Sequence, residues 1–251
     1  MHNPMITFDF QDNVVLVTGA SRGIGKQIAL DFLRCGAKLI VTATHPGKEL
    51  ELVTQFGRET IFIPVDFSNE KSTKSFLEKI SRFEKIDVCI NNAGLSRHKS
   101  LEKTTTEDWD ITHDVNLKAP FSVIQAVARI MRRNSYGRIV NISSIWGHIT
   151  MSERIAYTSA KFGLRGLTVS AAAELAKDNI LVNSVSPGIT LTDMVKNNFH
   201  PTKLQALAES IPLGRLAEPF EISRLVLFLA SSLNTYLTGQ SIVIDGGYSI
   251  I

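Results

Sequence analysis

Val14-Val15-Leu16-Val17-Thr18-Gly19-Ala20-Ser21-Arg22-Gly23-Ile24-Gly25 is the stretch that decides the fold. Four apolar residues, three of them β-branched, run without alternation into a turn that carries three glycines. A continuous apolar run of this length suits a strand buried on both faces. Beyond the turn, residues 25–34 place Ile28, Ala29, Phe32 and Leu33 on one helical face, and Gly36 supplies a stop.

The same alternation repeats outward from this unit. Continuous apolar strands are predicted at 14–18, 38–42, 60–65, 87–91, 138–143, 181–186 and 241–245. Helical periodicity is predicted at 25–34, 73–83, 117–131, 156–176 and 221–229. Strand–helix alternation with doubly buried strands predicts an α/β fold: a Rossmann-type, doubly wound parallel sheet of seven strands with helices on both faces. No linker, repeat or low-complexity stretch divides residues 1–251, so one domain is expected. The least regular stretch, 190–212, follows a strand's carboxyl end, where ligands bind in such sheets; a mobile lid is expected there.

The totals narrow the class of function. The chain has 251 residues, 44% apolar and 20% charged, and a net charge of +3. That charge is scattered and too small for a nucleic-acid surface; Arg132-Arg133 falls at a predicted helix end, where cations are favourable. No window nears 18 apolar residues, so no membrane partner is expected. The first residues lack the pattern of a secretory signal, and cytoplasm is the expected compartment. Cys35 and Cys89 read as packed thiols of a reducing compartment, and no metal-ligand spacing occurs.

In the turn, Gly19 allows a tight bend, Gly23 a close approach of backbone to a pyrophosphate, and Gly25 close packing of the helix. The helix N-terminus adds free N–H groups and a partial positive charge. A dinucleotide cofactor is therefore expected, with Ser21, Arg22 and Ile24 in the same loop. The second strand ends Thr42-Ala43-Thr44-His45, without the acid that would hold a free ribose 2′-hydroxyl. That absence, together with Arg22, favours NADP(H) over NAD(H). Thr42 and Thr44 are read either as donors to the cofactor or as structural threonines.

Tyr157 and Lys161 are four apart in a predicted helix and share a face. A free tyrosine ionises near ~10; bringing it down by about three units takes on the order of 4 kcal/mol, and a nearby cation acts in that direction. Ser144 ends the fifth strand at the sheet's carboxyl edge, where a hydroxyl can hold a substrate oxygen. Ser143 is its competitor, since adjacent strand residues face opposite sides. Asn92-Ala93-Gly94 ends the fourth strand and leaves room for a ribose. Asn116 is read as a helix N-cap or as the holder of a water near Lys161. Trp146 and His148 are read as pocket walls, or as a core and a surface residue.

These motifs, in this order over essentially the whole chain from Asp12 to Tyr248, resemble the classical short-chain dehydrogenase/reductase family. The resemblance implies a tetrad of Asn116, Ser144, Tyr157 and Lys161. Tyr157 would then be the acid/base, Ser144 the substrate-orienting hydroxyl, Lys161 the ribose and tyrosine partner, and Asn116 the holder of a relay water. It implies adenine contact at Asp66, with Phe67 beside it, and nicotinamide contact along Pro187, Gly188, Ile189, Thr190 and Thr192. It also implies a homotetramer, or a homodimer, built through the two long helices and the last strand. Within the family the chain looks most like the 3-oxoacyl-[acyl-carrier-protein] reductases, through Gly19–Gly25, Thr42-Ala43-Thr44, Gly137-Arg138-Ile139 and Asp245-Gly246-Gly247. It departs from them at 95–101 and 145–154, the segments that line the substrate pocket.

The expected function is NADP(H)-dependent reduction of a carbonyl, in a 3-oxoacyl thioester carried on a protein or in a small keto compound. An NAD(P)-linked sugar or polyol dehydrogenase and a non-catalytic dinucleotide-binding regulator remain as alternatives, and direction is not set by these residues.

Overall fold

The computed structural model describes residues 7–192, 195 and 200–251. Seven strands form one sheet: β1 (Val14–Val17), β2 (Lys38–Val41), β3 (Ile61–Phe62), β4 (Val88–Asn91), β5 (Gly137–Ile142), β6 (Ile180–Pro187) and β7 (Ser241–Ile244). Their order is β3-β2-β1-β4-β5-β6-β7, and every pairing is parallel. The order reverses between β1 and β4, which opens a crevice at the carboxyl ends of those strands.

Burial on both faces explains the unbroken apolar runs. In β1, Val15 and Val17 join a core layer with Ile28 and Phe32 of α1 (Gly23–Arg34), while Leu16 joins the opposite layer. That second layer takes Phe76 and Ile80 from α3 (Glu70–Ile80), with α2 (Glu49–Phe56) lying earlier in the chain. It also takes Val123, Val127 and Met131 from α5 (Ala119–Arg133) and Ala172 and Leu175 from α6 (Ile155–Leu175), with α4 (Thr106–His113) preceding α5. The first layer is completed by Ile222, Val226 and Leu229 of α8 (Pro219–Ala230). Helices therefore cover both faces, as expected.

Several boundaries differ from the sequence reading. The third strand is Ile61–Phe62 instead of 60–65, although Ile63 and Val65 continue to donate to the Val41 and Ala43 carbonyls at 3.0 Å. Three helices escaped the periodicity. α2 and α4 bury only two residues each, and α7 (Pro201–Glu209) buries none. α7 lies inside the stretch expected to be irregular; 193–194 and 196–199 of that stretch lie outside the described residues. α4 also runs directly into α5 through a π-helical turn, Asp114–Lys118, that contains Asn116. Asn116 is thus inside a continuous helix and is not an N-cap.

Candidate active site

The glycine turn is shaped by contacts that a side chain would destroy. Gly19 and Gly23 have φ of +67° and +58°. A Cβ on Gly25 would lie 2.2 Å from Asn92 Nδ2 and 2.4 Å from the Gly19 carbonyl oxygen. Close packing at Gly25 is therefore against the end of β4. The turn is then locked by side chains. Thr18 Oγ1 accepts from the Asn92 and Ala93 N–H groups at 3.0 Å each, and Asn92 Nδ2 donates to the Thr18 and Gly19 carbonyls at 2.9 and 3.0 Å. Thr42 Oγ1 accepts from the Gly19 N–H at 3.1 Å. Thr42 and Asn92 thus hold the turn itself, and Thr42 keeps its hydroxyl hydrogen to donate.

Beyond the turn a cleft of about 530 Å³ runs along the strand ends. Gly19, Ser21, Arg22, Gly23, Ile24 and Gly25 form one end, with Thr42, Thr44, Asp66 and Phe67 beside them. The first turn of α1 contains no acidic residue, so its N–H groups and positive pole face the cleft uncompensated. Arg22 and Thr44 are both exposed at this end, and Arg22 makes no ion pair among the described residues. Asp66 is tied locally, accepting from Ser68 N and Oγ at 2.9 and 2.6 Å.

Asn92, Ala93 and Gly94 line the middle of the cleft, and Ser144, Tyr157, Lys161, Pro187, Gly188 and Thr190 the far end; Thr192 returns to the glycine turn, its Cγ2 3.2 Å from where a Gly23 Cβ would sit. Ile189 is not among the walls; its carbonyl accepts from Ala217 N at 3.1 Å. Leu95 and Ser96, from a segment expected to line the substrate pocket, and Ser143, the rival of Ser144, also line it, together with Val115, which was not expected there.

A buried polar chain fixes α6 over the sheet. Asn91 Nδ2 donates to Asn141 Oδ1, and Asn141 Nδ2 to Thr168 Oγ1, both at 2.9 Å. This holds Tyr157 and Lys161 at one height. Lys161 Nζ is 5.6 Å from the Tyr157 ring centre and donates to the Ile142 carbonyl at 2.9 Å. Burial lowers the Lys161 ammonium from 10.5 to about 8, so it stays largely charged at neutrality. The Tyr157 phenol moves the other way. Burial raises it, against smaller lowering effects from the Ser144 hydrogen bond and Arg154. The expectation of a lowered tyrosine is therefore not met in the free protein, because desolvation outweighs the neighbouring charges.

Ser144, not Ser143, is the serine that meets Tyr157. Ser144 Oγ also accepts from Trp146 N at 3.2 Å, while Ser143 Oγ is buried without a partner against Gly147. Asn116 is fully buried. Its Nδ2 donates to the Leu95 and Thr112 carbonyls at 2.8 and 2.9 Å, leaving Oδ1 unpartnered 3.0 Å from where a Gly94 Cβ would sit. Trp146 and His148 do not line the cleft. His148 Nε2 meets Ser186 and Ser241 Oγ at 3.0 Å, and Trp146 packs edge-on to Tyr248.

The comparisons with known proteins agree with this geometry. A family model described as enoyl-(acyl carrier protein) reductase matches residues 19–249. The 3-oxoacyl-[acyl-carrier-protein] reductase FabG of Aquifex aeolicus is 38% identical over 242 residues, which cover 94% of this chain and 97% of that protein. A structure from Agrobacterium tumefaciens, provisionally described as a gluconate dehydrogenase, superposes with a TM-score of 0.91 at 30% identity, covering 98% of this chain and all of that one. The structure of ElxO with NADP bound gives a TM-score of 0.89 at 30% identity, covering 95% and 99%. With a parallel seven-stranded sheet, a glycine-lined cleft and Ser144, Tyr157 and Lys161 at its far end, the chain belongs to the short-chain dehydrogenase/reductase family of oxidoreductases.

Proposed function

We propose that the enzyme reduces a ketone to a secondary alcohol with NADP(H), Tyr157 giving the proton. The carrying observation is the far end of the cleft, where a phenol kept protonated by burial stands between the Ser144 hydroxyl and a buried lysine. A protonated phenol is an acid, which suits the reductive direction.

The residues fit the cofactor. The glycine cradle admits backbone where a Cβ would collide, the α1 terminus faces phosphate, and exposed Arg22 stands beside a β2 end free of acid. NADP bound to a relative of the same fold supports the same choice. When bound, the reduced nicotinamide supplies the hydride to the carbonyl carbon. Ser144 holds the carbonyl oxygen and Tyr157 passes its phenolic proton to it. The phenolate left behind is stabilised by Ser144 and by the Lys161 ammonium. Lys161 keeps further N–H donors beyond the Ile142 bond for a ribose. The unpartnered Oδ1 of Asn116, near Gly94 as Lys161 Nζ is, supports its reading as the holder of a water.

The substrate is drawn from 3-oxoacyl thioesters, as in the Aquifex relative, or from compact keto compounds. The second class is favoured by one observation: Trp146, in a segment where the chain departs from the thioester reductases, packs edge-on against Tyr248. Exposed Phe121 on α5, with Phe162 and Val169 on α6, supports assembly through the long helices, in a homotetramer or a homodimer. Among the described residues no helix is long and apolar enough to cross a membrane.

NADPH oxidation over a panel of ketones and acetoacetyl thioesters tests the reading. Tyr157→Phe should lower kcat by on the order of 10²–10⁴ while NADP⁺ affinity stays within a few-fold. Full turnover in that variant rejects the assignment.

A further inference from the structure

Three cations stand on the two segments expected to line the substrate pocket: Arg97, Lys99 and Arg154. The first two are engaged, since Arg97 Nη1 and Lys99 Nζ lie 2.7 and 2.5 Å from the Asp108 carboxylate. Arg154 is different. It makes no ion pair or side-chain hydrogen bond among the described residues, and its Nε is buried without a partner. Its guanidinium lies 5.7 Å over the Trp146 ring, and Trp146 packs edge-on to Tyr248 with ring centres 6.4 Å apart.

This placement is unfavourable for the fold alone. Arg154 is the N-cap residue of α6, so a cation sits at the positive pole of a 21-residue helix. It is also partly desolvated, and Glu153, whose charge it feels, is not within ion-pair distance. The Trp146 stack offsets part of this, but neither the charge nor the buried N–H is answered. A charge so placed is answered by a ligand.

Its location names the ligand's chemistry. Arg154 precedes Tyr157 by less than one helical turn, and its charge reaches Tyr157, Tyr248 and His98 of the loop after β4. It therefore stands at the head of the helix that carries the proton donor, on a segment expected to line the substrate pocket. We propose that Arg154 selects carbonyl substrates that carry an acidic group, a carboxylate or a phosphate ester, a few bonds from the reacting carbon. The flat guanidinium, fixed on Trp146, binds either oxyanion through paired N–H donors. This rests on the carbonyl-reductase reading above and adds the substrate's charge to it.

The test uses the NADPH-loaded enzyme and matched pairs: acetoacetate against acetoacetamide, and dihydroxyacetone phosphate against dihydroxyacetone. The native enzyme should favour the charged member of one pair at least tenfold in kcat/KM, and the pair affected tells carboxylate from phosphate. Arg154→Gln should bring that ratio close to one, mainly through KM, and Arg154→Lys should restore part of it. An equal ratio in native and Arg154→Gln enzyme overturns the proposal. Calorimetric titration of malonate into the NADP⁺-saturated protein gives a readout without turnover. Binding that Arg154→Gln abolishes supports the site even if no ketone is reduced, in which case the reductase reading fails instead. Absence of malonate binding together with no charged preference overturns it.

Discussion

The two ends of the cleft are built in opposite ways. At the glycine end, the polar groups of Thr18, Gly19, Thr42 and Asn92 are bonded to one another, and the space is cut by glycines. At the tyrosine end, Asn116 Oδ1 and Arg154 Nε are buried without partners. One end is finished by the chain's own hydrogen bonds; the other leaves buried polar capacity open. A shape complete before its ligand arrives suits a cofactor common to many reactions. Unsatisfied groups suit the variable partner, because each makes discrimination steep: a buried donor or acceptor without its mate costs about 1–3 kcal/mol.

The difference can be broken most severely at Gly25. Alanine there would overlap both the Asn92 amide and the Gly19 carbonyl. We expect Gly25→Ala to lose saturable NADP⁺ binding by fluorescence titration and to lower stability by about 2–3 kcal/mol. Retained affinity would mean the glycine end is as yielding as the mouth.

Lys161 tests the opposite end through pH. Its ammonium titrates at about 8 in the folded chain against 10.5 for an ordinary lysine. Between those values the unfolded chain binds more protons, so free-protein stability gains from this group as pH rises through the window. Below 8 the full penalty is present, up to about 3 kcal/mol. Urea unfolding of Lys161→Met should therefore show higher stability than the native protein at pH 7, with the gap closing by pH 10.5 and activity lost throughout. A less stable variant at pH 7 would show that the bond to Ile142 dominates instead.

A third comparison returns to the turn. Thr18→Val keeps the shape and removes the acceptor of two N–H groups, which should cost about 2 kcal/mol in thermal or denaturant unfolding. The smallest contrast separates the two adjacent serines. Ser144→Ala should reduce kcat roughly 10- to 100-fold, about 1.4–2.7 kcal/mol in barrier, by removing the hydroxyl bonded to Tyr157. Ser143→Ala should leave kcat within about a factor of two, since its hydroxyl bonds nothing. Equal losses would erase the distinction.

Much of this was legible in the sequence where one local rule governed. The doubly buried strands announced the parallel sheet because each run was apolar throughout, and Gly19, Gly23 and Gly25 marked the turn because they follow an apolar strand. Helices α2, α4 and α7 were not legible by period, because their faces bury so little; α4 is instead signalled by the reciprocal Thr105–Asp108 cap. Ser144, Tyr157 and Lys161 were named together from the sequence, yet the Tyr157 phenol is raised where a lowered one was expected, because desolvation depends on packing that no spacing reveals. Thr42 and Asn92 also bond backbone groups of the glycine turn, contacts that no spacing announced. Arg154 passed unremarked within an unusual loop; a cation at the head of a long helix was the available signal.

The π-helical turn at Asp114–Lys118 has a consequence for anyone redesigning this scaffold. A π turn holds one residue more than an α turn, so it absorbs the extra residue without turning α4 away from α5. Excising a single residue there would draw the segment into a regular α-helix and leave the frame nearly in phase, with His113 still facing Ser159, which it meets at 3.0 Å. The change would be felt inside the turn, at Asn116, whose Nδ2 reaches the Thr112 carbonyl. The surplus residue re-aims one side chain and leaves the helices on either side where they are.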